Sequence, residues 1–194
     1  MGCRMSAAAA AGTMLDPGRA VVVVIDLQQR LLPAIVESDR ILRNSLLLIR
    51  LADVLEIPVV LTTQYRQGLG DVVPEIARAA PSTVPLDKVA FGCFGSVEFG
   101  ARIAELGVRD QLVVGGIESH ICVAQTVLGA LGKGFTVHVA ADAVGSRTAL
   151  NREVGLQRME AAGAVISSAE MAIYELLGRS DVAAFKAMLP HLRG

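Results

Sequence analysis

The sequence predicts a three-layer αβα fold around a mostly parallel, Rossmann-like sheet of five to six strands. Three observations predict it. Short β-branched runs alternate with helical stretches along the whole chain, the pattern of a parallel sheet with crossover helices. The runs at Val21–Ile25 and Leu112–Val114 are apolar without alternation, as in strands covered on both faces. The chain has 194 residues, 53% hydrophobic and 19% charged, enough for one core and too apolar for disorder. No Pro/Gly/Ser-rich linker divides it. Residues 14–194 are expected as a single domain and residues 1–13 as a flexible tail.

The first strand is read at Ala20–Leu27. Ser38 can cap a helix whose apolar face runs through Ile41, Leu42, Ser45, Leu48, Ile49 and Ala52. That helix must stop before Pro58, which disfavours helical geometry at Ile57. Ile57–Thr62 is the second strand and Pro74–Ala80 a short helix. Asp87–Phe91 reads as a short strand or a loop. A helix over Val97–Leu106 ends at Gly107. Gln111–Ile117 is a strand, Ser119–Lys133 a helix and Phe135–Ala140 a strand. A helix from Thr148 to Ala162 precedes a short strand at Val165–Ile166. Ser167 and Glu170 make a capping-box pattern for a helix ending at Gly178, and Ser180 can cap a last helix to Leu189. Ligands of such sheets sit at the carboxyl ends of the strands, here after Leu27, Thr62, Ile117 and Ala140.

Composition excludes several functions. With 18 Lys+Arg against 19 Asp+Glu the net charge is −1, which offers no electrostatic footprint for nucleic acid or an anionic membrane. No apolar run approaches the roughly 20 residues of a membrane span. Three cysteines do not make a disulfide framework, and a cytoplasmic location is expected. Met1-Gly2-Cys3-Arg4-Met5-Ser6 fits a myristoylation pattern with Cys3 beside it. The motif is short and common, and an Ala-rich tail is the plainer reading. A small-molecule substrate is the partner that remains.

Cys122 follows a buried strand that ends in Gly115-Gly116. A helix starting within about one turn of it would surround the sulfur with free amides and the positive end of the helix dipole. Both favour a thiolate, so the thiol pKa is expected to fall. The alternative is a small buried hydrophobe, the fate of most free cysteines. Asp26 follows five apolar residues at the end of the first strand, where a carboxylate is costly without partners or a task. It is either a proton acceptor for Cys122 or a cap for the turn at Leu27–Gln29. Lys88 sits among apolar residues and could steady a thiolate or Asp26; a solvated loop lysine is the ordinary alternative. His120 lies two residues before Cys122 and points away from it on a helix, and His138 lies inside a strand. No histidine pair has ligand spacing, Cys93 and Cys122 are not a C-x-x-C pair, and Gly115-Gly116 is not a dinucleotide fingerprint. Neither metal nor cofactor is expected.

Four segments in this order and spacing resemble the isochorismatase-like cysteine hydrolase superfamily: VVVVIDLQ at the first strand, LDKVAFGCFGS around Lys88, GGIESHICVAQT at Cys122, and ADAVGSR at Ala141–Arg147. The resemblance spans about Ala20 to Ala169. It implies an isochorismatase-like hydrolase fold and a catalytic triad of Asp26, Lys88 and Cys122. It also implies a non-proline cis peptide at Ile117–Glu118 that aims the amides of Glu118 and Cys122 at an oxyanion, leaving the Glu118 side chain incidental. Nicotinamidases of the superfamily carry a D-x-H-x-x-H metal site, whereas Asp53 here is followed by Val54, Leu55 and Glu56. Isochorismatases that cleave a vinyl ether typically lack the cysteine, so its presence favours acyl chemistry. The segment Thr63–Gly70 resembles isochorismatase domain-containing proteins, and the superfamily commonly forms dimers or tetramers.

These implications add up to a metal-free amidohydrolase for a small amide, ureido or similar acyl substrate. Vinyl-ether hydrolysis with Asp26 as the acid, a silent scaffold, and redox sensing through Cys93 and Cys122 are the competing readings. Gln64, Tyr65, Phe91 and Phe94 are candidates to line the substrate pocket, each with a plain packing alternative.

Overall fold

The computed structural model describes residues 14–192; the expected tail, with Gly2 and Cys3, lies outside the described residues. Strands β1 (Ala20–Ile25), β2 (Val59–Gln64), β3 (Leu86–Lys88), β4 (Gln111–Ile117), β5 (Thr136–Gly145) and β6 (Val165–Ser167) form one sheet in the order β3-β2-β1-β4-β5-β6. Every neighbouring pair is parallel. The order reverses between β1 and β4, which places the topological switch point of the sheet there.

β1 is buried end to end because it feeds two cores. Ala20, Val22 and Val24 face one core and Val21, Val23 and Ile25 the other, following the two-residue period of a strand. The first core lies under α1 (Ser38–Val54), α3 (Pro74–Ala79), α7 (Ala169–Leu177) and α8 (Ala183–Leu192). The second lies under α4 (Val97–Glu105), α5 (Ala124–Leu131) and α6 (Ala149–Ala161). A single turn, α2 (Arg66–Leu69), follows β2. Asp87–Phe91, read as strand or loop, is a strand only as far as Lys88.

Four expected boundaries are corrected. Ser38 is the first residue of α1, and the capping position is Glu37, in left-handed geometry (φ 57°) with no side-chain cap. Ser167 remains in β6 beside Ala140, so the α7 cap is Ser168, whose hydroxyl accepts from Met171 N at 3.1 Å. Glu170 is thereby one position too early for a reciprocal box. The last helix starts at Ala183 rather than at Ser180 and runs on through Pro190. Finally, β5 continues past Ala140 through a bulge, its register jumping from Val114–Val139 to Gly116–Val144. The carbonyls freed there are taken by side chains. Asp142 O accepts from Arg40 Nη1 at 2.5 Å and Asn44 Nδ2 at 3.0 Å, and Arg152 donates to Val144 O at 3.2 Å and to Ala141 O. These donors come from α1 and α6, far away in sequence, which is why the local pattern stops the strand early.

His138 of β5 is fully buried, and neither ring nitrogen has a hydrogen-bond partner among the described residues. Burial pushes its pKa down, weakly opposed by Glu175. Below the unfolded value of about 6.5 the unfolded chain binds a proton that the folded chain refuses. Stability should therefore fall as pH drops below that value, until the folded pKa is reached. His138→Leu should remove this slope: its melting temperature relative to wild type should rise steadily from pH 7 to pH 5, read by thermal denaturation across pH.

Candidate active site

The switch point brings the ends of β1 and β4 side by side. Asp26 follows β1 directly, and its backbone turns into the left-handed region (φ 55°), which aspartate tolerates better than most residues. The turn carries the carboxylate under the carboxyl edge, where Asp26 is fully buried. Gly116 permits the close approach of β4, because with φ at 118° a Cβ there would overlap the Ile25 backbone. The Ile117–Glu118 peptide that follows is cis.

Cys122 comes next, and here the structure departs from the expected helix over Ser119–Lys133. Ser119–Val123 forms a π-helical turn, and α5 begins only at Ala124. Two elements hold this turn. Gly155 of α6 lies against it, since a Cβ at Gly155 would stand 2.9 Å from Ser119 C and O and 3.0 Å from His120 Cα. The loop after β5 is tied to it by His120 Nδ1 and Ser146 Oγ at 3.0 Å, and by the Glu118 carboxylate, which accepts from Arg147 N at 2.9 Å and Arg147 Nε at 3.0 Å. The Glu118 side chain is therefore a buried brace of the turn that carries Cys122. Gly155→Ala should displace the turn and lower activity about tenfold or more while costing roughly 1–3 kcal/mol of stability, as overpacking does; denaturant melts alongside activity assays check this.

Lys88 reaches the site from β3, over β2, a span suited to its four-carbon stem. Its Nζ donates to Asp26 Oδ2 at 2.8 Å and to Gln64 Oε1 at 2.7 Å, with the side chain 1% exposed. It is a buried ion-pair partner and not a solvated loop residue. Burial is the largest single influence and disfavours its charge, yet Asp26 together with Cys93 and Cys122 outweighs burial and holds the amine above the usual lysine range. Thr62 Oγ1 donates to the other carboxylate oxygen, Asp26 Oδ1, at 2.7 Å. Gln64 lies between Lys88 and the thiol, with Cys122 Sγ 3.9 Å from Gln64 Oε1 and Gln64 Nε2 donating to Val89 O at 2.9 Å. Gln28 pins Gln64 in turn. Its amide accepts from Gln64 N at 2.8 Å and donates to Gln64 O at 3.1 Å, taking both backbone bonds a neighbouring strand would make.

The expected fall in the Cys122 pKa is reversed. Burial first, and the Asp26 charge second, push the thiol up to about 12, with Lys88 opposing. Cys122 is 5% exposed inside a π turn rather than open at a helix start, so desolvation of a thiolate dominates. Near neutral pH Cys122 is a thiol, and making it a nucleophile requires a base. Cys93 is fully buried and also raised, to about 11, by burial. Both cysteines are free.

Of the four candidate lining residues, Gln64 alone joins the cluster through the contacts above. Tyr65 and Phe91 stand about half exposed on the loops after β2 and β3. The Phe94 ring is engaged in packing, 5.0 Å edge-on from Phe99 and 5.9 Å from Phe135, with Lys133 Nζ 5.6 Å above it. Surface concavities of 540 Å³ and 440 Å³ lie by α1 and α3, the first reaching the start of β2 and the second α8, away from Asp26, Lys88 and Cys122. The sheet topology and the polar cluster, rather than concavity, mark the site. Among the described residues, no group of three or more His, Cys, Asp and Glu side chains is placed to hold a metal ion. Thr62 and Gln28 were absent from the sequence candidates. The signal for Thr62 was present, since the sequence pattern ends the second strand there, at the edge where ligands bind.

A family model described as "Isochorismatase domain" matches residues 20–171. The chain is 34% identical over 177 residues to the secreted isochorismatase effector Isc1 of Phytophthora sojae, covering 90% of this chain and 84% of that protein. Among solved structures, the MAR1 ribonuclease from Caenorhabditis elegans superposes with a TM-score of 0.87 at 32% identity, over 93% of each chain. The Escherichia coli YcaC gene product, described as an octameric hydrolase of unknown specificity, gives 0.85 at 28% identity, over 92% of this chain and 90% of that one.

Proposed function

Because the chain belongs to the isochorismatase family of hydrolases, we propose that it is a metal-independent cysteine hydrolase that cleaves a small amide, ureido or related acyl substrate. The observation that carries this reading is the buried Lys88–Asp26 pair at 2.8 Å, set at the switch point beside a buried thiol. A carboxylate and an amine enclosed this far are costly unless they do work.

In this reading Asp26 takes the Cys122 proton as the sulfur attacks the carbonyl carbon. The raised thiol pKa fits a base that acts during attack rather than a preformed thiolate. The amides of Glu118 and Cys122 receive the tetrahedral oxyanion. Asp26 returns the proton to the leaving amine, and water activated by the same carboxylate hydrolyses the thioester. Lys88 stays cationic throughout and keeps the carboxylate ionised between steps. Gln64, between Lys88 and the sulfur, contacts the acyl group, and Tyr65 and Phe91 rim the entrance.

The names of the relatives favour a second reading, vinyl-ether hydrolysis with Asp26 as acid and Cys122 idle. A panel of small amides, ureides and vinyl ethers, quenched early and examined by intact-mass spectrometry, separates them. An acyl adduct on Cys122, lost in Cys122→Ser, supports the amidase; vinyl-ether turnover that survives Cys122→Ser overturns it. The ribonuclease name belongs to the nematode protein, and the net charge of −1 gives this chain little attraction for a phosphate backbone.

We further propose a homo-oligomer, for which the octameric E. coli relative gives support; light scattering decides between that state and the dimer or tetramer. No helix among the described residues is long and apolar enough to cross a membrane. A cytoplasmic location rests on cysteine usage, while the Phytophthora relative is by name secreted.

A further inference from the structure

The Asp26 carboxylate has one fixed donor on each oxygen, Lys88 Nζ on Oδ2 and Thr62 Oγ1 on Oδ1. We propose that Thr62 is a positioning residue that sets the orientation and the proton affinity of the Asp26 carboxylate. The inference rests on Asp26 being the base of the hydrolase described above.

The torsion that turns a carboxylate plane is soft, so a single donor leaves the group free to swing. A second donor on the opposite oxygen fixes the plane and leaves each oxygen with lone-pair capacity to accept a proton. Threonine suits this role because its β-branched side chain is stiff at χ1. Thr62 also belongs to β2, which pairs directly with the strand that carries Asp26, and the Asp26 amide donates to Thr62 O at 3.2 Å. The hydroxyl and the carboxylate are therefore held by the same backbone junction.

Thr62 is 1% exposed, so its hydroxyl is enclosed in the protein interior. Its single proton goes to Asp26. Thr63, the next residue, points to the opposite face and donates to Asp87 Oδ1 at 2.9 Å, so it does not substitute for Thr62. Donation to the ionised form favours that form. Without Thr62 the carboxylate holds a proton more tightly, which weakens it as a base in acid and slows its return of the proton to the leaving amine.

Thr62→Val keeps the shape of the side chain and removes the donor; Thr62→Ser keeps the donor. On the best substrate of the panel, Thr62→Val should lower kcat about 10- to 100-fold with little change in KM. The acid limb of its kcat/KM profile should move up by about one pH unit. Thr62→Ser should restore both the rate, to within about threefold, and the limb. A substrate-free readout accompanies these: the ¹³C-carboxyl titration midpoint of Asp26 should rise in Thr62→Val and return in Thr62→Ser. A Thr62→Val enzyme that loses rate and melting temperature together, with acid limb and ¹³C midpoint unchanged, would reduce Thr62 to a packing residue and overturn the inference. Failure of the hydrolase reading is seen separately, as turnover in Cys122→Ser with no acyl adduct, and the ¹³C midpoint still judges Thr62 in that case.

Discussion

Cys122→Ala should lower turnover of the best amide substrate by about 10³-fold or more, as removal of a nucleophile does in other acyl-transfer enzymes. The fold should survive, because the sulfur packs as a small apolar group and its loss opens a space of roughly one methyl. The KM should change little, since the thiol contributes to bonding that exists only during reaction. Iodoacetamide adds an independent measure. With both thiols raised, to about 12 for Cys122 and about 11 for Cys93, ionisation does not favour Cys122. Access does: Cys122 is 5% exposed and Cys93 fully buried, so of these two, label should appear first at Cys122 and track the loss of activity. Peptide mapping that finds Cys93 labelled before Cys122, with activity intact, would overturn the cysteine-hydrolase reading.

Lys88→Met should be the most damaging single change to stability. It preserves the length of the side chain but strands a fully buried carboxylate, leaving Thr62 Oγ1 as its remaining side-chain donor. Breaking a buried pair in this way costs about 3–5 kcal/mol, or roughly 6–20 °C in melting temperature for a chain of this size. The loss should shrink in acid, where the stranded carboxyl takes up a proton. Lys88 itself gives the opposite flank in the wild type. Its folded pKa lies above its unfolded one, so its stabilisation is complete below the unfolded value of about 10.4 and is lost as pH rises through the folded value. The double variant Lys88→Met/Asp26→Leu should regain most of the stability and none of the activity. A pair retained at the expense of stability is one retained for chemistry. A double-mutant cycle by chemical denaturation measures the coupling; additivity within about 0.5 kcal/mol would mean that the pair does not interact.

The α/β class, the parallel sheet and nearly every element were legible in the sequence, because burial on both faces writes itself as apolar runs such as Val21–Ile25. Helix punctuation is local as well, so Pro58 and Gly107 marked their boundaries correctly. Asp26, Lys88 and Cys122 stand out as a set through the resemblance carried by the four segments; by position alone each keeps a plain alternative, a turn cap, a solvated lysine and a buried apolar residue. What escaped was set by groups distant along the chain. The extension of β5 beyond Ala140 depends on Arg40, Asn44 and Arg152, and Gln64 is held by Gln28 from another strand end. The π turn around Cys122 packs on Gly155, whose lack of a side chain matters only once α6 lies against it.

The sequence by itself determined the apolar runs that become the strands and the order in which strands and helices alternate, since these follow from nearest-neighbour chemistry and side-chain periodicity. The tertiary structure alone decided the protonation of the Cys122 thiol. From the sequence Cys122 reads as a helix-start thiol with a lowered pKa; in the fold it is enclosed and faces the Asp26 charge, and its pKa is pushed up to about 12. Desolvation and Coulomb energy depend on what surrounds a group in three dimensions, and that enclosure is assembled from β1, β2, β3 and the turn after β4, none of which carries it in its own sequence.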